Sequence, residues 1–362
     1  MKKVFSTLLL SGLLVVVCSC TERLAGKDCF NHIVEEIEDV RISKGLSPEL
    51  YCSSSEDLSN IIINDSLLFA FVRGRDHICY VSNINNDSIV GAYCPKGRAW
   101  NEMLVPSMVE DTYSINGDLC CPIFSIPDSK VFIWNVSQSL KTGDTRFNKI
   151  SQIADGSTAI YNVFMLDAER LIAFNSKHNP YIDELEEPPY FEVYDCNTGN
   201  LLKRYEIFKM IEGYGENPLY NAKDYLSCHP CIKPDRTKIA YVMSYHPQLN
   251  ILDIEGGNVK GYSIKGAKSF NPNVRYLHFS SVKVDDDYIY ALYYGGEFDG
   301  VDPDKTPDIL YVFDWNGEIK AKFKLPRHFT SLWMDDTELY LTFGPENDIY
   351  VLHTNDIKAM LK

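Results

Sequence analysis

The sequence predicts an all-β fold, a six-bladed β-propeller with four-stranded antiparallel blades, in which an N-terminal strand closes the last blade. One strand pattern occurs six times along the 362 residues, and such internal repetition is typical of propellers. The chain is also rich in residues that favour strands, with 23 Tyr and 18 Phe. Finally, the last copy of the pattern is followed by too few residues to complete its own sheet.

The most regular part of the repeat is a short apolar segment that ends in a turn residue. Its six copies are CYVSN (79–83), VFIWN (131–135), FEVYD (191–195), LNILD (249–253), LYVFD (310–314) and IYVLH (349–353). Alternating short segments followed by turn residues are typical of strands. The successive ends lie 39 to 61 residues apart, which is enough for about four strands in each unit.

A second apolar segment precedes each copy and follows an Asp- or Asn-containing turn. These segments are SLLFAFV, DLCCPIF, ERLIAFN, TKIAYVM, DYIYALYY and TELYLTF. Another apolar run lies upstream of each turn, and in at least three units a Gly-containing turn leads into a fourth strand. A pair of β-sandwiches gives no reason for six matched copies, and β-solenoid repeats are usually shorter. The pattern therefore favours a propeller.

The two ends of the chain are expected to meet in the last blade. Only the nine residues TNDIKAMLK follow the sixth copy, whereas residues 31–57 contain a segment that belongs to no copy, EDVRIS (38–43). A strand from this N-terminal region would complete the sixth sheet and remove an open edge. We therefore divide the chain into a signal peptide (1–19), a tether with the closing strand (20–57) and the propeller (58–362).

The first residues have the pattern of a secretory signal. Lys2 and Lys3 precede an apolar stretch over residues 4–17, which is too short and too interrupted to predict a membrane span. Ser19 followed by Cys20 resembles the lipobox at which bacterial lipoproteins are cleaved and acylated. We predict lipidation at Cys20 and a lipid anchor in the outer membrane of the cell envelope, on its periplasmic or surface face. The alternative is a soluble secreted protein.

Composition argues against one class of partner. The formal net charge is −15, from 35 basic and 50 acidic residues. An acidic surface repels phosphate backbones, so we predict that the protein does not bind nucleic acid. Without Cys18 and Cys20 nine cysteines remain, an odd number, so at least one thiol is expected to stay free or to pair between molecules.

No catalytic, metal-binding or cofactor-binding set is predicted. Neither a G-x-S-x-G nor an H-E-x-x-H motif occurs. Cys228 and Cys231 form a C-x-x-C motif, but strand residues three apart point to opposite faces, so we interpret them as small buried residues. The acidic loop over residues 297–308 lacks the spacing of a calcium loop and is interpreted as a solvated loop.

Polar loops are expected to meet at one end of the propeller. The loops between second and third strands all emerge on the same face, and the turn over residues 97–102 should reach it too. The candidate ligand-binding residues there are Arg73, Arg75, Arg98, Asn101, Glu102, His178, Tyr245 and His246. The alternative is that these loops are polar only because they are exposed.

Two segments resemble a known family. The segment HPCIKPDRTKIAYV (229–242) resembles a blade of the TolB type, with Cys231 in place of an aromatic residue and Arg236 in place of the turn glycine. The matching residues are Pro230, Pro234, Asp235, Ile239 and Ala240. In the turn GRAWNE (97–102), Gly97, Asn101 and Glu102 match a Gly-x-Gly-Pro-Asn-Glu turn. The chain is thus similar to TolB-like six-bladed propeller lipoproteins of Bacteroidota, which implies a location in the envelope.

The function that we expect is binding rather than catalysis. A rigid propeller with polar loops at one end and no assembled catalytic motif suggests an envelope lipoprotein that binds a glycan, a peptide or a partner protein. The alternative is a hydrolase or lyase that acts on carbohydrates or lactones. A further alternative is a structural subunit beside an outer-membrane transporter.

Overall fold

The computed structural model describes residues 29–54, 60–72, 75–153, 158–179, 184–185, 187–210, 225–268, 274–297, 308–343 and 347–361. These residues form six small antiparallel sheets in a ring, which confirms the predicted six-bladed β-propeller. The helices of the described ranges are α1 (Val136–Thr142) and α2 (Thr354–Met360). Neither is long and apolar enough to cross a membrane.

The strands are numbered along the chain. Three precede the first blade: β1 (Val34–Ile37), β2 (Lys44–Gly45) and β3 (Glu49–Ser53). Blade 1 contains β4 (Ile61–Asn64), β5 (Leu67–Phe71), β6 (His77–Asn83) and β7 (Ser88–Pro95). Blade 2 contains β8 (Tyr113–Ile115), β9 (Asp118–Ser125), β10 (Lys130–Asn135) and β11 (Phe147–Gln152). Blade 3 contains β12 (Thr158–Met165), β13 (Arg170–Asn179), β15 (Tyr190–Asp195) and β16 (Leu201–Tyr205), with the short β14 (Glu184–Leu185) paired to β13.

The remaining blades follow the same order from the channel outwards. Blade 4 contains β17 (Cys228–Ile232), β18 (Lys238–Met243), β19 (Gln248–Asp253) and β20 (Val259–Ile264). Blade 5 contains β21 (Tyr276–Val284), β22 (Tyr288–Glu297), β23 (Ile309–Asp314) and β24 (Ile319–Lys324). Blade 6 contains β25 (Ser331–Met334), β26 (Glu338–Phe343) and β27 (Asp348–His353), with β3 as its outer strand.

The blades are held together by apolar side chains on both faces of the sheets. Strand β18, for example, buries five of its six residues in a row, because a neighbouring blade packs against each face. Aromatic rings cross the junctions: Phe69 and Trp134 join blades 1 and 2 with centroids 6.0 Å apart, and Phe191 and Tyr241 join blades 3 and 4 at 5.7 Å. Face-to-face packing therefore replaces the inside-outside alternation of an exposed sheet.

The N-terminal segment runs around the outside of four blades. Phe30 forms a bridge with Phe208 after blade 3, β1 pairs in parallel with β20 of blade 4 and β2 pairs in parallel with β24 of blade 5. Strand β3 then pairs antiparallel with β27, which confirms that an N-terminal strand closes the last blade. We call residues 29–53 the N-terminal belt. Its segment 38–43 forms no strand and connects β1 to β2.

The first strand of each blade lies next to the central channel, and that of blade 2 is interrupted. Ser107 donates its backbone N–H to Phe124 O at 2.8 Å, and β8 pairs again with β9 from residue 113 onwards. The residues between these two pairings, 108–112, leave the sheet and enter the channel, where Asn60 Oδ1 accepts the N–H of Val109 at 3.1 Å. We call residues 108–112 the channel bulge.

Candidate functional site

A cavity of about 740 Å³ lies at the end of the channel where the turns between first and second strands emerge. Four of those turns line it, together with the channel bulge and α2. Its carboxylate residues are Asp65, Glu110, Asp111, Asp285, Asp286, Asp287, Asp335 and Asp336. Its cationic residues are Arg236, Lys283 and Lys358. With eight carboxylates against three cations, we call it the acidic cavity.

An ion pair between blades 2 and 4 lies at the inner end of the acidic cavity. Arg236 Nη1 lies 2.6 Å from Asp111 Oδ1, and Arg236 Nη2 donates to Thr112 O at 2.7 Å. The other oxygen of Asp111 accepts the N–H of Met165 in blade 3 at 2.8 Å. Burial raises the pKa of Asp111, and the guanidinium of Arg236 opposes that rise. The carboxylate therefore joins three blades through hydrogen bonds.

A second ion pair crosses the channel beside it. Lys283 Nζ of blade 5 lies 3.3 Å from Glu110 Oε2 of the channel bulge, and its ammonium lies 4.6 Å from the ring centroid of Trp333. Trp333 in turn donates its Nε1–H to Ile63 O at 2.8 Å, which joins blade 6 to blade 1. Blades 2 and 5 are opposite each other in the ring. The acidic cavity therefore ends at two cross-channel ion pairs.

The backbone at Arg236 explains how its side chain reaches the channel. Its φ is +63°, in the left-handed region that favours glycine, and its N–H donates to Lys233 O at 2.8 Å within the turn. This is the position at which the TolB-type turn carries glycine. The chain keeps the glycine-like conformation of the turn and uses the added side chain to bind Asp111.

Two carboxylates at the rim of the acidic cavity have structural partners. Asp285 accepts the N–H groups of residues 287 and 288 and the hydroxyl of Tyr290, the latter at 2.9 Å. Asp335 makes the equivalent three bonds, including one from the hydroxyl of Tyr340 at 2.9 Å. Their neighbours Asp286 and Asp336 are exposed. These two carboxylates are therefore placed to meet a ligand that enters the cavity.

A second cavity, of about 330 Å³, lies in the half of the channel nearer the other end, between blades 3 and 4. Most of its lining is apolar, and we call it the apolar cavity. The lining residues are Met108, Glu110, Tyr161, Asn162, Phe174, Pro189, Leu226, Ser227, Cys228, His229 and Pro230. Glu110 lines both cavities, so the channel bulge separates them.

The structure places the predicted residues of the turn over 97–102 at the surface. Arg98 and Asn101 are exposed, and the carboxylate of Glu102 accepts the N–H of Ala99 at 2.9 Å. That carboxylate occupies the space where a Cβ on residue 97 would lie, so a side chain at this position would have to displace the flexible end of Glu102. Arg75 lies over the ring of Tyr80, 4.8 Å from its centroid.

Two other predicted residues are buried beside blade 4. Arg275 donates to the hydroxyl of Tyr245 at 2.9 Å, and His246 Nε2 lies 3.1 Å from Tyr225 O. Burial lowers the pKa of His246 to about 4. The predicted lipidation site Cys20, the residue Arg73 and the side chain of His178 lie outside the described part of the chain. The ligand-binding role of the eight candidates stays a prediction.

Sequence reasoning missed the acidic cavity, although it had identified the turns that line it. In the sequence, Asp285, Asp286, Asp335 and Asp336 stand at turns between strands and belong to no recognised motif. Such turns lie more than forty residues apart in the chain, and only the ring brings them to one channel end. The repeated Asp-Asp pair at equivalent positions of two blades was the available signal.

Cys228 and Cys231 pack on opposite faces of their blade. Cys228 contacts the core between blades 3 and 4, whereas Cys231 belongs to the core between blades 4 and 5. Burial raises the pKa of the Cys231 thiol to about 11. The nine cysteines from Cys29 onwards, all within the described ranges, form no disulfide. The two thiols therefore do not lie where they could form a disulfide with each other.

The predicted acidic loop has two members in the described ranges. Asp308 is fully buried and accepts hydrogen bonds from His328 Nδ1 at 2.9 Å and from the N–H of Phe329 at 2.8 Å. Glu297 is exposed, and residues 299, 302 and 304 lie outside the description. Among described residues, no three His, Cys, Asp or Glu side chains are grouped to hold a metal ion.

Comparison with known proteins gives a likeness only to solved structures. No family model and no curated protein matches the sequence. A Bacteroides fragilis protein described as exported is 11% identical, with a TM-score of 0.49, and the match covers 89% of this chain and 99% of that one. Hydrazine synthase of Kuenenia stuttgartiensis is 12% identical, with a TM-score of 0.49 and coverages of 87% and 79%. The calcium-binding regucalcin of Agrobacterium tumefaciens is 10% identical, with a TM-score of 0.45 and coverages of 88% and 95%. Because all three TM-scores are below 0.5, these likenesses carry no argument about ligand or activity.

Proposed function

We propose that the protein is a non-catalytic binding lipoprotein of the cell envelope, anchored through Cys20, whose acidic cavity binds a basic segment of a partner protein. The observation that carries the proposal is the charge of this cavity. Eight carboxylates and three cations give a formal excess of five negative charges around about 740 Å³. Such a concave surface attracts cations and disfavours anions.

The shape of the cavity supports an inserted side chain rather than a threaded polymer. The cross-channel pairs Glu110–Lys283 and Asp111–Arg236 close its inner end. A lysine or arginine side chain can enter such a closed cavity with its charged group first and its aliphatic part along the wall. The exposed carboxylates of Asp286 and Asp336 would then pair at the rim with a neighbouring charge of the same basic segment.

A binding measurement on a lipid-free form that begins at residue 21 tests the proposal. We expect trilysine to bind in calorimetry, trilysine affinity to fall as salt increases, and triglutamate not to bind. The double variant Asp286→Asn/Asp336→Asn should weaken trilysine binding about tenfold, since each exposed ion pair contributes up to about 1 kcal/mol.

The control is a variant with the same loss of charge elsewhere. Glu35→Gln/Glu297→Gln removes two exposed carboxylates, one from β1 and one from the opposite end of blade 5. Its affinity for trilysine should equal that of the unchanged protein. Equal weakening in both double variants would mean that only net charge matters, and binding of neutral oligosaccharides in place of trilysine would contradict the proposal.

A further inference from the structure

We propose that the apolar cavity is a second binding site, which takes a small uncharged aromatic molecule bearing a hydroxyl group. Its volume of about 330 Å³ is at the lower end of the range for small-molecule sites. The site is separate from the acidic cavity and does not depend on the function proposed above. Three features of its lining carry the inference.

The first feature is an amide that has no hydrogen-bond partner among the described residues. Asn162 is only 5% exposed, lines the apolar cavity and makes no side-chain hydrogen bond to any described residue. Buried polar side chains are nearly always hydrogen-bonded, because leaving them unpaired is unfavourable. The amide of Asn162 therefore offers both a donor and an acceptor to a molecule that enters the cavity from outside the chain.

The second feature is a β-bulge that directs this amide. The register between β12 and β13 shifts between Ile160 and Asn162, so Tyr161 is an extra residue in β12. In a regular strand two successive side chains would point to opposite faces. Here both Tyr161 and Asn162 line the cavity. Bulges of this kind commonly re-aim side chains beside binding sites.

The third feature is that Glu110, the anionic side chain in the described lining, already has a counter-ion. Glu110 is paired with Lys283 at 3.3 Å. His229 has its Nε2 3.2 Å from the hydroxyl of Ser244, and burial lowers its pKa, which favours the neutral ring. A charged ligand would lose its hydration here without gaining an opposite charge.

The walls favour an aromatic body. The rings of Tyr161 and Phe174 lie with centroids 6.0 Å apart, and Met108, Leu226 and Pro230 complete the apolar surface. Aromatic rings pack well against such walls in tilted or edge-on arrangements. A hydroxyl group can donate to the carbonyl of Asn162 and accept from its amide, so it would satisfy the unpaired side chain.

Ligand-observed NMR with three probes of similar size tests the proposal. We expect phenol to bind, and benzylamine and benzoate to bind at least about tenfold more weakly, because both carry a charge at neutral pH. The nearly isosteric variant Asn162→Leu should weaken phenol binding by at least about tenfold. The acidic-cavity variant Asp286→Asn/Asp336→Asn should bind phenol normally, so failure of one proposal does not imply failure of the other.

Thermal unfolding distinguishes a ligand contact from a structural role. Because Asn162 has no hydrogen-bond partner in the described part of the chain, Asn162→Leu should leave the melting temperature unchanged or raise it. Asn175 is the matched control: it is buried on the neighbouring strand β13 and donates to Glu192 at 2.6 Å, so Asn175→Leu should lower the melting temperature. Absence of phenol binding, unchanged binding in Asn162→Leu, or equal destabilisation by both variants would overturn the proposal.

Discussion

Arg236 shows how a single residue can depart from a local rule and gain a distant contact. The turn at 233–236 resembles one that carries glycine, and the arginine keeps the left-handed backbone at φ +63°. Its guanidinium binds Asp111, which lies 125 positions earlier in the chain. The sequence shows that Arg236 stands where the TolB-type turn has glycine. It could not show the reason, because the partner lies in a bulge two blades away.

This contact predicts an unusual change in stability when glycine replaces Arg236. Arg236→Gly should relieve the backbone and yet lower the free energy of unfolding by about 3 kcal/mol, because it leaves the buried carboxylate of Asp111 without its cation. The double variant Asp111→Asn/Arg236→Gly removes both charges and should lose only about 1 kcal/mol. Urea unfolding measures all three proteins. Equal losses in the single and the double variant would show that the ion pair is unimportant.

Two buried histidines predict a stability that depends on pH. Burial lowers the pKa of His246 to about 4 and of His278 to about 3, from 6.5. Below about pH 6.5 the unfolded chain binds protons that the folded chain does not, so the free energy of unfolding falls as pH decreases towards 4. We expect each ring to contribute a loss of about 2 kcal/mol between pH 7 and pH 5.

Urea unfolding at pH 7, 6 and 5 checks this expectation. His278→Asn should reduce the loss between pH 7 and pH 5 by about 2 kcal/mol, although its stability at pH 7 will also change because the ring is buried. The exposed His353 is the control: Glu338 raises its pKa, so replacing it should not flatten the loss towards low pH. If the free energy of unfolding depended on pH equally in all variants, the buried histidines would not be the cause of the dependence.

At the scale of the elements, the sequence predicts the strands that repeat from blade to blade but not the N-terminal strands β1 and β2, which occur once. The six third strands, β6, β10, β15, β19, β23 and β27, end at the predicted positions 83, 135, 195, 253, 314 and 353, because apolar runs closed by turn residues recur there. Strands β1 and β2 have four and two residues and mostly exposed side chains. Such short edge strands carry little apolar pattern: in β1 it is limited to Val34 and Ile37, which pack against the neighbouring cores.

The binding sites were harder to predict than the strands for a related reason. The channel bulge contains Val109, Glu110 and Asp111, a mixture that fits an edge, a turn or a strand equally well. Its position follows from pairing on both sides of it, at residues 105–107 and 113–115. The cavities therefore depend on how blades meet, which a pattern within one blade does not determine.

At the scale of the whole molecule, the N-terminal belt predicts that two truncations lower the thermal stability of the protein to different extents. A chain that begins at residue 48 lacks β1, β2 and the buried side chains of Phe30 and Leu46, but keeps the closed ring. It should melt earlier and self-associate, because the edges of β20 and β24 become exposed. A chain that begins at residue 54 also lacks β3, and should melt at least about 10 °C lower still or lose cooperative unfolding.

Calorimetry and size-exclusion chromatography measure both truncations. A peptide that covers residues 29–54, added to the shorter chain, should restore a single transition because it can pair again with β20, β24 and β27. Identical melting temperatures of the two truncated chains would show that the pairing of β3 with β27 does not contribute to stability.

The long separation between β3 and its partner also sets an order of events during synthesis. Ser53 and Asp348, which are hydrogen-bonded, lie 295 positions apart, so the ribosome must finish nearly the whole chain before this pairing can form. At roughly 5–20 residues per second the leading segment waits on the order of 15 to 60 seconds in a nascent, unpaired state. An enzyme that processes the amino end would meet an unpaired substrate in the first part of that interval, before β20 and β24 are synthesised.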